Sequence, residues 1–148
     1  MFWPSIHDIT TDPDDPPAFM ALLGRRAGRW VSPPEYDGPK AAAEQRRAYP
    51  DIQPLILNAP LTQAFEAAAA AARAMGWETV EADRAAGRIE AIATTRLMRF
   101  KDDVVVRLRG DVGGVRVDVR SKSRVGRGDL GTNARRIRRF LAALIQSL

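Results

Sequence analysis

The segment from Arg120 to Arg139 combines the residue types that bind anions. Its sequence, RSKSRVGRGDLGTNARRIRR, contains eight basic residues and one acid, Asp129. Arginine donates forked hydrogen bonds, serine and asparagine make directional ones, and glycine lets the backbone approach a ligand closely. A site at the start of a helix would also gain from the helix dipole, which favours negative charge. The candidate anion-binding residues are Ser121, Ser123, Arg124, Arg127, Asn133 and Arg136.

The same segment is equally suited to holding a helix onto a sheet. Asp129 is placed to cap the last helix through its first free amides, which is the position that an anion would occupy. Arg124 and Arg136 would then pair with Asp129 or with the adjacent carboxylates Asp102 and Asp103, and the asparagine of the segment would satisfy a loop carbonyl. Because ion-pair networks and ligand sites have similar compositions, the position at a helix cap favours the structural interpretation.

Three carboxylates, Asp102, Asp103 and Asp129, together with His7, are the candidates for hydrolase or isomerase chemistry. Such a site requires these side chains to converge. Neighbouring residues of a strand point to opposite faces, so Asp102 and Asp103 are not expected to meet. The acids of residues 12–15 lack the glycine and the distant glutamate of a calcium loop. We therefore assign no catalytic residue and expect no metal and no cofactor.

The composition indicates one soluble globular unit. A chain of 148 residues is long enough for a single core, and the absence of cysteine excludes disulfides and thiolate chemistry. The positive charge is concentrated in one segment, because the net charge of Arg120–Arg139 alone is larger than the formal net charge of +5 for the whole chain. Its arginines are spread around a helix, and the chain has no helix-turn-helix, zinc or RNP signature, so nucleic acid is disfavoured as a partner.

The elements that position these residues are predicted after residue 50. A short strand over residues 52–57 precedes an alanine-rich helix that ends at Gly76. Four strands follow, and the last two alternate between apolar and charged positions, so one sheet face is apolar and the other is charged. A final helix runs from about Leu130 to the chain end. The four predicted strands are 77–81, 88–99, 103–109 and 115–121.

Residues 1–50 contain most of the prolines, which disfavours helix interiors and central strands. We expect an extended, Pro-rich N-terminal arm that packs on the domain, with a short helix around residues 17–26. Residues 51–148 would form a single α+β domain. Its strand, helix, four strands, helix order predicts a two-layer, mainly antiparallel fold with a TATA-binding-protein-like or helix-grip-like topology.

Several motifs together resemble a known family. They are IHDITTDPDDPPAF, YPDIQPL, MGW, GRIEAIATT, RFKDDVVVR and VDVRSKSRVGRGDLGTNARRI. This succession resembles the bacterial family numbered 1499 among domains of unknown function. The resemblance implies no activity. Relatives often carry membrane-spanning segments before the first motif, which implies an envelope-associated or periplasmic location if such an anchor was removed, and otherwise a cytoplasmic one.

These observations lead to three functional hypotheses. The first is a non-catalytic binding module whose basic segment 120–139 contacts an anionic ligand or an acidic protein surface. The resemblance is compatible with such a module at the cell envelope. The second is a carrier of a small apolar ligand, with a closed cavity lined by Phe65, Met75 and Trp77. The third is the carboxylate enzyme described above. Membrane contact is expected only through the upstream segments of relatives, and the sequence leaves the oligomeric state open.

Overall fold

A six-stranded antiparallel sheet forms the centre of the structure, a computed structural model that describes residues 6–26, 31–126 and 129–148. The elements, in chain order, are β1 (Asp8–Thr10), a 3-10 helix (Ala21–Arg26), α1 (Pro39–Ala48), β2 (Leu55–Leu57), α2 (Leu61–Ala74), β3 (Glu78–Asp83), β4 (Arg88–Thr94), β5 (Lys101–Asp111), β6 (Gly114–Ser123) and α3 (Thr132–Gln146).

The strands β3 to β6 form an antiparallel meander, and β6 also pairs with two short strands. β1 pairs with the end of β6 and β2 with its beginning. At the turn before β6, Gly114 has a φ of 132°, and a Cβ there would lie 2.1 Å from the carbonyl oxygen of Leu57. Glycine therefore allows the close approach of β2 to β6.

The two helices α2 and α3 cover one face of the sheet, which we call the helix side. Alternating valines of β5 and β6 point to this face and are almost fully buried. α2 contributes small side chains such as Ala68 and Ala72, so it lies close to the sheet. Trp77 stacks on Phe140 of α3, with ring centroids 5.1 Å apart.

The N-terminal residues pack on the opposite face, which we call the N-terminal side. A small apolar cluster there joins Phe19 and Leu22 to Ile92 and Val105. The buried carboxylate of Glu90 accepts hydrogen bonds from three consecutive amides, those of Met20, Ala21 and Leu22, at the start of the 3-10 helix. The N-terminal residues thus cover the charged face of the sheet and form hydrogen bonds with its charged side chains.

The α+β class, the antiparallel sheet and the strand, helix, four strands, helix order from β2 to α3 are confirmed. Three details differ. Residues 6–50 are not simply extended, because they include β1 and α1. The short helix starts at Ala21 and is a 3-10 helix. The third predicted strand ends at Thr94, since residues 95–100 form a loop to β5.

Candidate functional site

The Arg120–Arg139 segment runs from the end of β6 through a turn into α3, and the sheet divides its side chains between two sides. Ser121 and Ser123 pair with Val104 and Asp102 across β5 and point to the helix side. Arg120 and Lys122 point to the N-terminal side. The two basic side chains of this part of β6 therefore lie on the other side of the sheet from its two serines.

Asn133 is the centre of a buried hydrogen-bond network on the helix side. The Ser121 hydroxyl donates to its Oδ1 at 2.6 Å, and Asn133 Nδ2 donates to Ser123 Oγ at 2.9 Å and to Asp129 Oδ2 at 2.7 Å. Arg136 Nη1 donates to the same Asn133 Oδ1 at 2.9 Å. These side chains bond to each other, as the structural interpretation expected.

Arg136 also connects this network to Asp102 on β5. Its Nη1 lies 2.7 Å from Asp102 Oδ2, and both side chains are almost fully buried. Burial raises the pKa of Asp102 above its usual value, although the guanidinium of Arg136 and the hydroxyl of Ser123 act in the opposite direction. A charge pair thus ties the first turns of α3 to the sheet.

Asp129 occupies the amino end of α3. Its carboxylate accepts hydrogen bonds from the amides of Gly131 at 2.8 Å and Asn133 at 3.0 Å. An anion bound at this helix end would need the same donors. The carboxylate predicted to bind the first amides of this helix therefore does so, although the N-cap residue itself is Gly131.

Arg124 lies apart from the Asn133 network and pairs with Asp103. Its Nε and Nη2 donate to Asp103 Oδ1 at 3.0 and 2.8 Å. Arg26 of the 3-10 helix donates to the other oxygen, Oδ2, at 2.7 Å. Asp103 is fully buried between these two guanidinium groups. Arg127, the remaining predicted anion-binding residue, lies outside the described residues.

The three carboxylates of the enzyme hypothesis do not converge. Asp102 and Asp129 lie on the helix side, whereas Asp103 lies on the N-terminal side with its arginines. The backbone carbonyl of His7 accepts the Ser123 amide at 2.8 Å, and the buried Nδ1 of His7 has no hydrogen-bond partner in the described parts of the chain. Within the described parts of the chain, no group of three or more His, Asp or Glu side chains is placed to hold a metal ion.

The charged face of the sheet forms ion pairs with the N-terminal residues. Asp12 accepts hydrogen bonds from Arg107 and Arg116, both at 3.1 Å, and these arginines also reach Asp118. The face thus contains both cross-strand ion pairs and ion pairs with the N-terminal residues. The face is consequently not an open saddle for a polyanion.

Two adjoining recesses lie at the end of the sheet where α3 begins. The first, which we call the basic cleft, has a volume of about 640 Å³ and runs between the end of α2, the end of β4 and the first turns of α3. The second, which we call the apolar pocket, has a volume of about 250 Å³ and lies between the loop 95–100 and the turn before α3. Thr95 and Thr132 line both.

The basic cleft differs from the site predicted from the sequence. Four arginines and three threonines line it, and among the described residues no acid does; they are Arg96, Arg135, Arg136, Arg139, Thr94, Thr95 and Thr132. Of the predicted anion-binding residues, only Arg136 is included. Arg96 was missed because its segment was assigned to a strand, although the alternation of basic and apolar residues in TRLMRFK, residues 95–101, was a visible signal.

The arginines of α3 have different environments. Arg136 is buried, whereas Arg138 forms a bidentate ion pair with Asp51, in which its Nε and Nη2 donate to the two carboxylate oxygens at 2.6 and 2.8 Å. Arg135 donates to the carbonyl of Leu130 and to the hydroxyl of Thr132. Arg135, Arg138 and Arg139 are thus exposed on α3, whereas Arg136 is part of the buried network.

The fold and these recesses define an α+β protein with one antiparallel sheet and a recessed, basic end. The chain belongs to the family described as a protein of unknown function, DUF1499, whose family model matches residues 8–144. The match confirms the resemblance carried by the sequence motifs. No curated protein matches the chain. None of the helices in the described residues is long and apolar enough to cross a membrane.

Proposed function

We propose that this protein is a non-catalytic binding module for anionic groups, and that the anion binds in the basic cleft. The observation that carries the proposal is the lining of four arginines and three threonines without an acid among the described residues. Guanidinium groups and hydroxyls are the donors that recognise phosphate and carboxylate groups.

Part of the charge of the cleft is available to a ligand, although Arg136 is paired with Asp102. Arg96 and Arg139 are exposed, and within the described residues neither has an ion-pair partner. By contrast, Ser121, Ser123 and Asn133 are buried and bonded to each other. An anion entering that network would have to replace these bonds, so the adjoining cleft is the better site.

The carrier hypothesis is less well supported. It rests on a topological likeness to TATA-binding-protein-like and helix-grip folds, and it needs a closed cavity beneath the helices. Phe65 and Trp77 are buried in the core, and Met75 and Trp77 line the basic cleft beside exposed arginines. The alanine face of α2 brings that helix close to the sheet and leaves little room for an apolar ligand.

Calorimetric titration with inorganic pyrophosphate tests the proposal. Each of the variants Arg96→Gln and Arg139→Gln should weaken binding by about tenfold or more, since each removes charge-assisted hydrogen bonds. Arg47→Gln is the matched control, because Arg47 is exposed on α1, away from the cleft. If both cleft variants bind pyrophosphate as the parent does, at unchanged thermal stability, the proposal is wrong.

A further inference from the structure

The loop 95–100 and the turn before α3 expose a cluster of large apolar side chains around the mouth of the apolar pocket. Leu97 is 89% exposed, Leu130 66% and Met98 63%. The cluster, which we call the apolar patch, consists of Leu97, Met98, Phe100, Val125 and Leu130. Contiguous exposed apolar surface of this kind marks a contact with another molecule or with a membrane.

The backbone holds this patch in place. The amide of Thr95 donates to the carbonyl of Phe100 at 2.8 Å, and the amide of Phe100 donates to Thr95 Oγ1 at 2.8 Å. Leu97 and Met98 therefore project from the tip of a closed loop. Two non-glycine residues in this region, Arg99 and Leu130, have left-handed φ values of 57° and 53°. Leucine rarely adopts this conformation, and the side chain of Leu130 is mostly exposed, so the strain is offset by little burial.

Basic residues lie beside the patch. Arg96 and Arg99 lie between its apolar residues along the loop and are exposed. The acids nearest to the patch are already engaged, because Asp102 is paired with Arg136 and Asp129 caps α3. The patch thus presents apolar side chains next to exposed arginines, which is the complement of a bilayer with anionic headgroups.

We infer that the apolar patch docks this protein on an anionic lipid bilayer. Leu97, Met98 and Leu130 enter the boundary between headgroups and acyl chains, while Arg99 contacts the anionic headgroups. The basic cleft beside the patch then faces the membrane surface. The inference goes beyond the proposed function, because it depends on apolar insertion and not on anion binding in the cleft.

Co-sedimentation with vesicles tests the inference. The parent should bind mixed vesicles that contain equal amounts of phosphatidylglycerol and phosphatidylcholine. It should bind vesicles of phosphatidylcholine alone at least tenfold more weakly. Leu97→Ser combined with Met98→Ser should reduce binding to the anionic vesicles by about tenfold or more. Arg99→Asn should reduce it by about fivefold, and this reduction should be smaller at high salt.

One variant separates docking from folding. Asparagine tolerates the left-handed conformation of Leu130, so Leu130→Asn should lower vesicle binding by about fivefold while thermal stability stays the same or rises. Val112→Ser is the control, because Val112 is fully exposed at the opposite end of β5.

Three results would overturn the inference. They are equal binding of the parent to neutral and anionic vesicles, unchanged binding by the Leu97 and Met98 double variant, and an equal loss with Val112→Ser. Loss of self-association by the patch variants without any change in vesicle binding would instead identify a second copy of the chain as the partner. Pyrophosphate binding should survive in all patch variants, which keeps this test separate from that of the cleft.

Discussion

At the scale of single residues, Arg120 connects the sheet to the N-terminal residues. Its Nε and Nη2 donate to the two oxygens of Asp8 at 3.0 and 2.9 Å, and it also donates to the carbonyls of Pro17 and Pro34. The guanidinium carbon lies 4.5 Å from the ring centre of Phe19. One buried side chain thus satisfies acceptors from three separate parts of the N-terminal sequence.

Replacing Arg120 by lysine should destabilise the fold. An ammonium group donates from a single point and cannot reach both oxygens of Asp8 and the two proline carbonyls, so buried acceptors lose their partners. We expect Arg120→Lys to lower the free energy of unfolding by about 3 kcal/mol in urea denaturation. Arg109→Lys is the control, because Arg109 is half-exposed in surface ion pairs, and its cost should stay below about 1 kcal/mol. Equal effects of the two would contradict this role.

Tyr36 should make stability depend on pH in alkaline solution. Burial, followed by the charge of Asp8, raises the pKa of Tyr36 to about 12. The unfolded chain then loses this proton near its ordinary value of 10.0 while the folded chain keeps it, so stability falls as pH rises through this window. Tyr36→Phe should reduce the slope of stability against pH in denaturation series between these values.

The same tyrosine offers a spectroscopic check. The chain has two tyrosines, and burial also raises the pKa of the other, Tyr49. Absorbance at the tyrosinate band should therefore show no step near the ordinary value while the protein stays folded. Among the described residues, the Tyr36 hydroxyl has no hydrogen-bond partner, so Tyr36→Phe should not lower stability at neutral pH. A tyrosinate step at the ordinary pKa would contradict the burial of both rings.

Part of this residue-scale chemistry could be predicted from the sequence. The alternation of β5 and β6 placed Asp102 and Asp103 on opposite faces, and the pairing of Arg136 with Asp102 and of Arg124 with Asp103 was among the expected alternatives. The contacts of Arg120 could not be predicted, because its partners lie up to 112 positions away and depend on the path of the N-terminal residues.

At the scale of elements, α1 and β1 were missed for local reasons. β1 has three residues, too few for a period of two to be read. α1 follows several prolines, which favoured the prediction of an extended segment over a helix. Proline at a first helical position is nevertheless favourable, and helix-forming residues follow Pro39. The exposed loop 95–100 was assigned to a strand for the opposite reason, because its large apolar residues look like strand residues.

The two missed elements stabilise each other through Gln45 of α1. Its Oε1 accepts the amide of Thr10 at 3.0 Å, and its Nε2 donates to the carbonyl of Thr10 at 2.7 Å. β1 pairs with β6 on its other edge. A side-chain amide thus completes the hydrogen bonds of an edge strand that would otherwise leave buried groups unpaired.

Gln45→Ala should detach α1 from β1. The substitution leaves the buried amide and carbonyl of Thr10 without partners, at a cost of about 1–3 kcal/mol. Denaturation should show this loss, and hydrogen exchange at the Thr10 amide should accelerate more than exchange within β5. The control is Arg47→Ala on the exposed side of the same helix, with an expected change within about 0.5 kcal/mol. Unchanged exchange at Thr10 would contradict the role of Gln45.

At the scale of the whole molecule, the sheet has two covered faces of different chemistry. The helix side is an apolar core, whereas the N-terminal side buries charges that are satisfied by the residues before α1. Glu90, Asp103 and Lys122 are all almost fully buried on that side. Removing the N-terminal residues would expose some of these charged groups to water. It would also remove the apolar contacts that Ile9 and Phe19 make with the rest of the protein.

Residues 51–148, expected from the sequence to form the domain, should therefore not fold alone. Without residues 1–50, β6 loses its pairing with β1, and the carboxylates of Glu90 and Asp103 lose the amides and the guanidinium group that bind them. Unpaired charges on an exposed sheet face are costly, and Ile92 and Val105 would become accessible to solvent.

We expect the fragment to show no cooperative thermal transition, with near-ultraviolet circular dichroism close to that of an unfolded chain. Adding a peptide of residues 1–50 in excess should restore the signal by mass action. A fragment that unfolds cooperatively near the midpoint of the full chain would instead establish the N-terminal residues as a dispensable arm.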